Sequence, residues 1–134
     1  MHGTVFGDLS IEVGGTPHGL ELIWLGSSNS RSPGEALRAY FKVALAEAST
    51  RRARLDLRFE RLIHLNSSTV SLLLHLVDEA VAHGVSMTYF YDGGQRWQAH
   101  NFESIALLKR DAQGFSVRKV GAAQPAEKIG PPEG

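Results

Sequence analysis

Asn66, Ser67, Ser68 and Thr69 stand in a row just before a long helical pattern, and side chains of these types offer two kinds of chemistry. Asparagine and serine are favoured helix N-caps, because the side-chain oxygen accepts from a backbone amide two or three residues on. A serine hydroxyl at the same place can also receive a phosphoryl group, since free amides and the positive end of the helix dipole tolerate phosphate there. One helix needs one cap, and here four candidates are in line. A phosphate on Ser67 adds about −1.5 to −2 charges to a chain whose formal net charge is +0. Residue types alone favour the plain cap.

The other chemistry-bearing residues form weaker patterns. His75, Glu79 and His83 recur every four residues on one helix face, but the first and last are about 12 Å apart by helix rise, too far for one metal ion. A solvated polar stripe is the reading that survives. Trp97 lies among Gln95, Arg96 and Gln98 after a glycine turn. It fits either an interface anchor beside an arginine or a lid over the hydrophobic core. No Gly-Lys-Ser or Gly-Lys-Thr phosphate loop, spaced-glycine dinucleotide fingerprint or Gly-x-Ser-x-Gly elbow is present, so the familiar nucleotide and hydrolase signatures are missing. No catalytic residue, cofactor or metal is expected.

Strands and helices must position these residues. Val5, Leu9, Ile11 and Val13 alternate with polar positions and predict one strand ended by Gly14-Gly15, with the apolar run Leu20–Leu25 returning as its antiparallel partner. Ser32-Pro33-Gly34-Glu35 has the form of a capping box. The stripe Ala36, Leu37, Tyr40, Phe41, Ala44, Leu45, Ala48 follows it and predicts a helix ending near Ser49. Leu55, Leu57 and Phe59 alternate with Arg54, Asp56 and Arg58 as a third strand, and a short link leads to Asn66. In the second helix Val70, Leu73, Leu74, Val77, Ala80 and Val81 are expected inward and Ser71, His75, Asp78 and Glu79 outward, with Gly84 as the stop. Val85–Tyr91 reads as a strand, Phe102, Ile105, Ala106 and Leu108 as the centre of a third helix, and Phe115–Val120 as a last strand. Strands alternating with helices imply parallel crossovers, and the opening hairpin makes the sheet mixed. The expected division is one domain over 1–120 and a disordered tail over 121–134, which holds three of the five prolines and no apolar period.

Composition narrows the function classes. With 134 residues the chain fits one domain. Fourteen basic and 14 acidic side chains give no field to draw in nucleic acid or an anionic membrane. The absence of cysteine removes disulfides, thiolate metal sites and thiol nucleophiles. No signal peptide or membrane-length apolar run is visible, so the cytoplasm is the expected location.

The stretch Leu55-Asp56-Leu57, through Leu62-Ile63-His64-Leu65-Asn66-Ser67-Ser68-Thr69 and into Leu72-Leu73-Leu74, resembles the STAS domains of bacterial anti-sigma-factor antagonists. Those domains carry an apolar strand and then Asp-Ser-Ser-Gly or Asp-Ser-Thr-Gly opening a helix. Leu65-Asn66-Ser67-Ser68-Thr69 is similar to the STAS-like bacterial regulators with Asn in place of the aspartate, as is Tyr-Phe-Tyr-Asp followed by Arg-Trp-Gln across Tyr89–Gln98. The resemblance covers roughly Leu20 to Val120 in element order. It implies an α/β, STAS-like single domain: a mixed β-sheet with helices packed mainly on one face. It also implies a phosphorylation-controlled partner switch. By position the phosphoacceptor is Ser67, with Ser68 a second candidate. The start of the second helix, with Asn66, Thr69, Ser71 and His75, is then the contact surface, and Trp97 a possible anchor. The implied partners are a protein kinase of the anti-sigma-factor type and a PP2C-type phosphatase. Two alternatives stand beside this: a constitutive scaffold or small-ligand sensor whose hydroxyls only cap a helix, and, ranked last, an enzyme using His75 and nearby carboxylates.

Overall fold

The computed structural model of the protein describes residues 1–16, 18–28 and 34–121. Its elements are β1 (Thr4–Phe6), β2 (Leu9–Thr16), β3 (Gly19–Ser28), α1 (Gly34–Arg51), β4 (Arg54–Arg58), β5 (Leu62–Leu65), α2 (Ser67–Ala82), β6 (Met87–Asp92), α3 (Arg96–Leu108) and β7 (Phe115–Val120). Ser32 and Pro33 of the expected capping box, the loop tip Asn29-Ser30 and the tail beyond Gly121 lie outside the described residues.

One sheet runs β1-β2-β3-β4-β6-β7, and β5 pairs with β3 beyond the end of β4. The first three strands are antiparallel neighbours, while β3, β4, β6 and β7 are parallel, so the sheet is mixed as its hairpin and crossovers require. In register, Val13, Leu22, Leu57, Tyr89 and Val117 face the same way across five strands. All three helices reach that face. Trp24 stacks on Phe41 of α1, Phe59 and Tyr89 meet Phe102 of α3, and the Tyr89 hydroxyl donates to Leu73 O of α2 at 2.8 Å. Burial keeps that phenol protonated well above the ordinary tyrosine range. The opposite face carries Glu21, Asp56, Arg58 and Phe90. There the Arg58 guanidinium lies 4.2 Å over the Phe90 ring and pairs with Glu60 at 2.6 Å, so a cation covers the ring on this face.

Four local expectations give way to tertiary structure. The single strand foreseen over Val5–Val13 is two strands, because Gly7 adopts φ 62 and Phe6 pairs with Leu9 across a two-residue turn, the conformation that favours glycine first. Val5, counted on the buried face, is 69% exposed. The link between Phe59 and Asn66 contains β5, four residues long, too short to show a period. The buried face of α2 is Thr69, Leu72, Leu73, Leu76, Val77 and Ala80. It is rotated from the expected stripe, so that Val70 and Leu74 are half-buried and Val81 is exposed. Gly14-Gly15 does not end β2, which continues to Thr16.

Candidate functional site

The hydroxyl cluster sits where β5 gives way to α2, at the C-terminal end of the parallel strands, the end at which open α/β sheets gather their binding residues. Asn66 is the N-cap in extended conformation, φ −85 and ψ 168. Its Oδ1 accepts from the Thr69 amide at 3.0 Å and from the Thr69 hydroxyl at 2.8 Å. Since the Thr69 proton is committed to Asn66, the Ser28 hydroxyl, 2.5 Å from Thr69 Oγ1, is the donor of that bond. The Ser28 carbonyl also accepts the Asn66 amide at 3.1 Å. The last residue of β3 is thus stitched to the first turn of α2 by side chain and main chain together.

The four residues therefore divide their work. Asn66 caps. Thr69 is 0% exposed and lies inside the helix rather than at a left-handed turn, so it needs no glycine, and its hydroxyl serves as an internal tie rather than a surface group. Ser68 is half-buried. Ser67 is exposed at the first helical position and is spare with respect to the cap. The cap requires one acceptor oxygen, which asparagine and aspartate supply alike. Asn66 keeps that geometry without placing a negative charge beside Ser67.

Ser67, Ser71 and His75 follow one another at four-residue spacing, and all three are exposed, forming a polar stripe along α2. On the strand leading to it, Ile63 is 70% exposed, a large apolar side chain four residues before Ser67. Trp97 belongs to the first turn of α3. It is half-buried against the core, and its indole N–H donates to Gln95 Oε1 at 3.1 Å. Trp97 thus packs against the core while staying partly exposed.

Sequence reasoning passed over two glutamines that define the flank of this region. Gln98 is 0% exposed. Its Nε2 donates to Phe59 O at 2.8 Å and Leu62 O at 3.1 Å, and its Oε1 accepts from the Asp92 amide at 2.7 Å. Gln95 Nε2 donates to Glu60 O at 3.2 Å. Between β4 and β5 the chain leaves its ladder with β6, and these side-chain amides meet the carbonyls of the link, that of Phe59 alongside the Leu62 amide. A signal was available, because Gln98, Phe102 and Ile105 share one helical stripe, but it appears only once the helix start is placed at Arg96.

No protein-family model matches the chain, and no curated protein matches it. Among solved structures, one chain of the diguanylate cyclase SiaD in complex with its activator SiaC, from Pseudomonas aeruginosa, aligns with a TM-score of 0.52 and 19% identity, covering 88% of this protein and 98% of that chain. The likeness is one of fold, and it spans nearly the whole described domain.

Proposed function

We propose that the protein is a non-enzymatic, cytoplasmic signalling regulator whose affinity for a protein partner is set by phosphorylation of Ser67. The observation that carries this reading is the division of roles at the start of α2: Asn66 caps and Thr69 ties, so the exposed Ser67 hydroxyl is left over at the helix mouth. The amides of the first turn and the dipole end favour a dianion at that place. The exposed Ile63 and the Ser67–Ser71–His75 stripe supply an apolar and polar surface of the kind partners bury. Similarity of fold to a chain from a complex between an enzyme and its activator is in keeping with work done through a protein partner. A kinase of the anti-sigma-factor type would supply the phosphate and a PP2C-type phosphatase would remove it, as the resemblance of the Asn66–Thr69 motif implies.

A dianion forced into a desolvated interface costs several kcal/mol, and about 4 kcal/mol corresponds to roughly a thousandfold in affinity. Intact-mass analysis with fragmentation of the protein from its native cell should place one phosphate on Ser67. Ser67→Ala should remove it and hold the partner constitutively, and Ser67→Asp should weaken partner capture. Phosphate found only elsewhere, or equal capture by the parent, Ser67→Ala and Ser67→Asp proteins, would sink the switch.

A further inference from the structure

At the N-terminal end of the parallel strands, roughly 30 Å from Ser28 by the length of β3, α1 and α2 terminate with the same backbone closure. The Ala53 amide donates to Ala48 O at 2.9 Å and the Arg52 amide to Ser49 O at 3.2 Å; likewise Val85 donates to Ala80 O at 2.9 Å and Gly84 to Val81 O at 3.1 Å. Each pair is a Schellman motif, whose penultimate residue must turn left-handed. α2 meets that demand with Gly84 at φ 69. α1 meets it with Arg52 at φ 52, and Arg52 is the one non-glycine residue with positive φ among the described residues. The conformation is free for glycine and costly for any side chain with a β-carbon, so α1 retains an arginine against local preference.

That arginine borders a cavity of about 410 Å³ between the two helix ends, together with His18, Ser49, Arg54 and Ser86. No carboxylate is among the described lining residues. Arg54, which also lines the cavity, is held through Nε to Asp56 Oδ2 at 3.1 Å, so Arg52 is the lining guanidinium with no carboxylate against it among the described residues. Helix C-termini carry partial negative charge, and a cation there is ordinarily its counterweight. Arg51, the final residue of α1, already fills that role from an unstrained position, and the Schellman bonds already occupy carbonyls of the last turn. A second cation in a disfavoured conformation needs another reason.

We propose that this cavity binds a small phosphate-bearing anion of sugar-phosphate or nucleotide size. The Arg52 guanidinium fork matches phosphate oxygens bidentately, the Ser49 and Ser86 hydroxyls add neutral donors, and the volume falls in the range of small-ligand pockets. The site is independent of the reading of Ser67 and lies at the other end of the sheet.

The test is a ¹⁵N-resolved NMR titration of the full chain with inorganic pyrophosphate, against sodium chloride at matched ionic strength. Saturable shifts are expected at the amides of Arg52, Arg54 and Ser86 with pyrophosphate and not with chloride. Arg52→Gly should weaken pyrophosphate binding tenfold or more while raising the thermal unfolding midpoint, because glycine suits the left-handed position. Absence of saturable shifts, equal response to chloride, undiminished binding by Arg52→Gly, or a lowered midpoint in that variant would each overturn the proposal.

Discussion

The two ends of the parallel strands solve opposite problems with different materials. At the C-terminal end a helix begins, and its orphan amides are met by side chains: Asn66 caps, Thr69 and Ser28 brace it, and Gln98 and Gln95 take the carbonyls of the β4–β5 link. At the N-terminal end two helices finish, and two orphan carbonyls of each are met by backbone amides, through twin Schellman closures. Side-chain solutions are specific, since each needs a particular oxygen or nitrogen at a particular place. Backbone solutions require only an allowed φ, which frees the side chain at Arg52 for another use. The contrast also separates scaffolding from spare chemistry. At one end Ser67 is exposed beside a satisfied cap, and at the other Arg52 is exposed on a satisfied turn.

The comparison can be broken most severely at Gln98. Gln98→Leu removes a buried partner from the Leu62 carbonyl and the Asp92 amide, while Phe59 O keeps the Leu62 amide. It should cost about 3 kcal/mol or more, read as a lowered denaturation midpoint, and a loss under about 1 kcal/mol would show that water replaces the amide. Next come two neighbours in the hydroxyl row. Thr69→Val deletes a buried donor to Asn66 and the acceptor for Ser28, and should cost about 2 kcal/mol. Ser67→Ala should stay within about 0.5 kcal/mol. Equal losses at the two positions would erase the distinction between the tie and the spare hydroxyl. The smallest effects belong to the helix ends. Gly84→Ala adds a β-carbon with nothing within 4 Å of it, so its cost of about 1 kcal/mol is purely conformational. Arg52→Gly should return a gain of similar size, so equilibrium unfolding of the two variants should shift in opposite directions.

Much of the fold was legible because helices and strands announce themselves by period. Leu55, Leu57 and Phe59 read as the strand they form or border, and β7 has the expected limits, Phe115–Val120. The mixed sheet followed from the order of elements, whereas helices packed mainly on one face were implied by the family resemblance. The rotation of α2 was less legible: apolar residues occupy most of its circumference, so several stripes fit the sequence and only packing against β6 and α1 selects one. β5 escaped because four residues carry no period. At the site, the row of cap-forming residues was plain, but which one caps and which stays exposed was not.

By itself, the sequence determined the element types, the approximate start of α2 and the presence of more hydroxyls than one cap can use, because each of these depends on residues within a turn or two of one another. Tertiary structure decided the rest. Thr69 is internal because Ser28, 41 residues away, lies against it, and Gln98 is buried because a break in the β4–β5 lane leaves carbonyls for it to meet. Arg52 borders a cavity because two helix ends that share no local sequence converge on the same strand edge. Periodicity reports how a segment contacts itself and water, whereas these contacts exist only after segments distant in the chain have packed together.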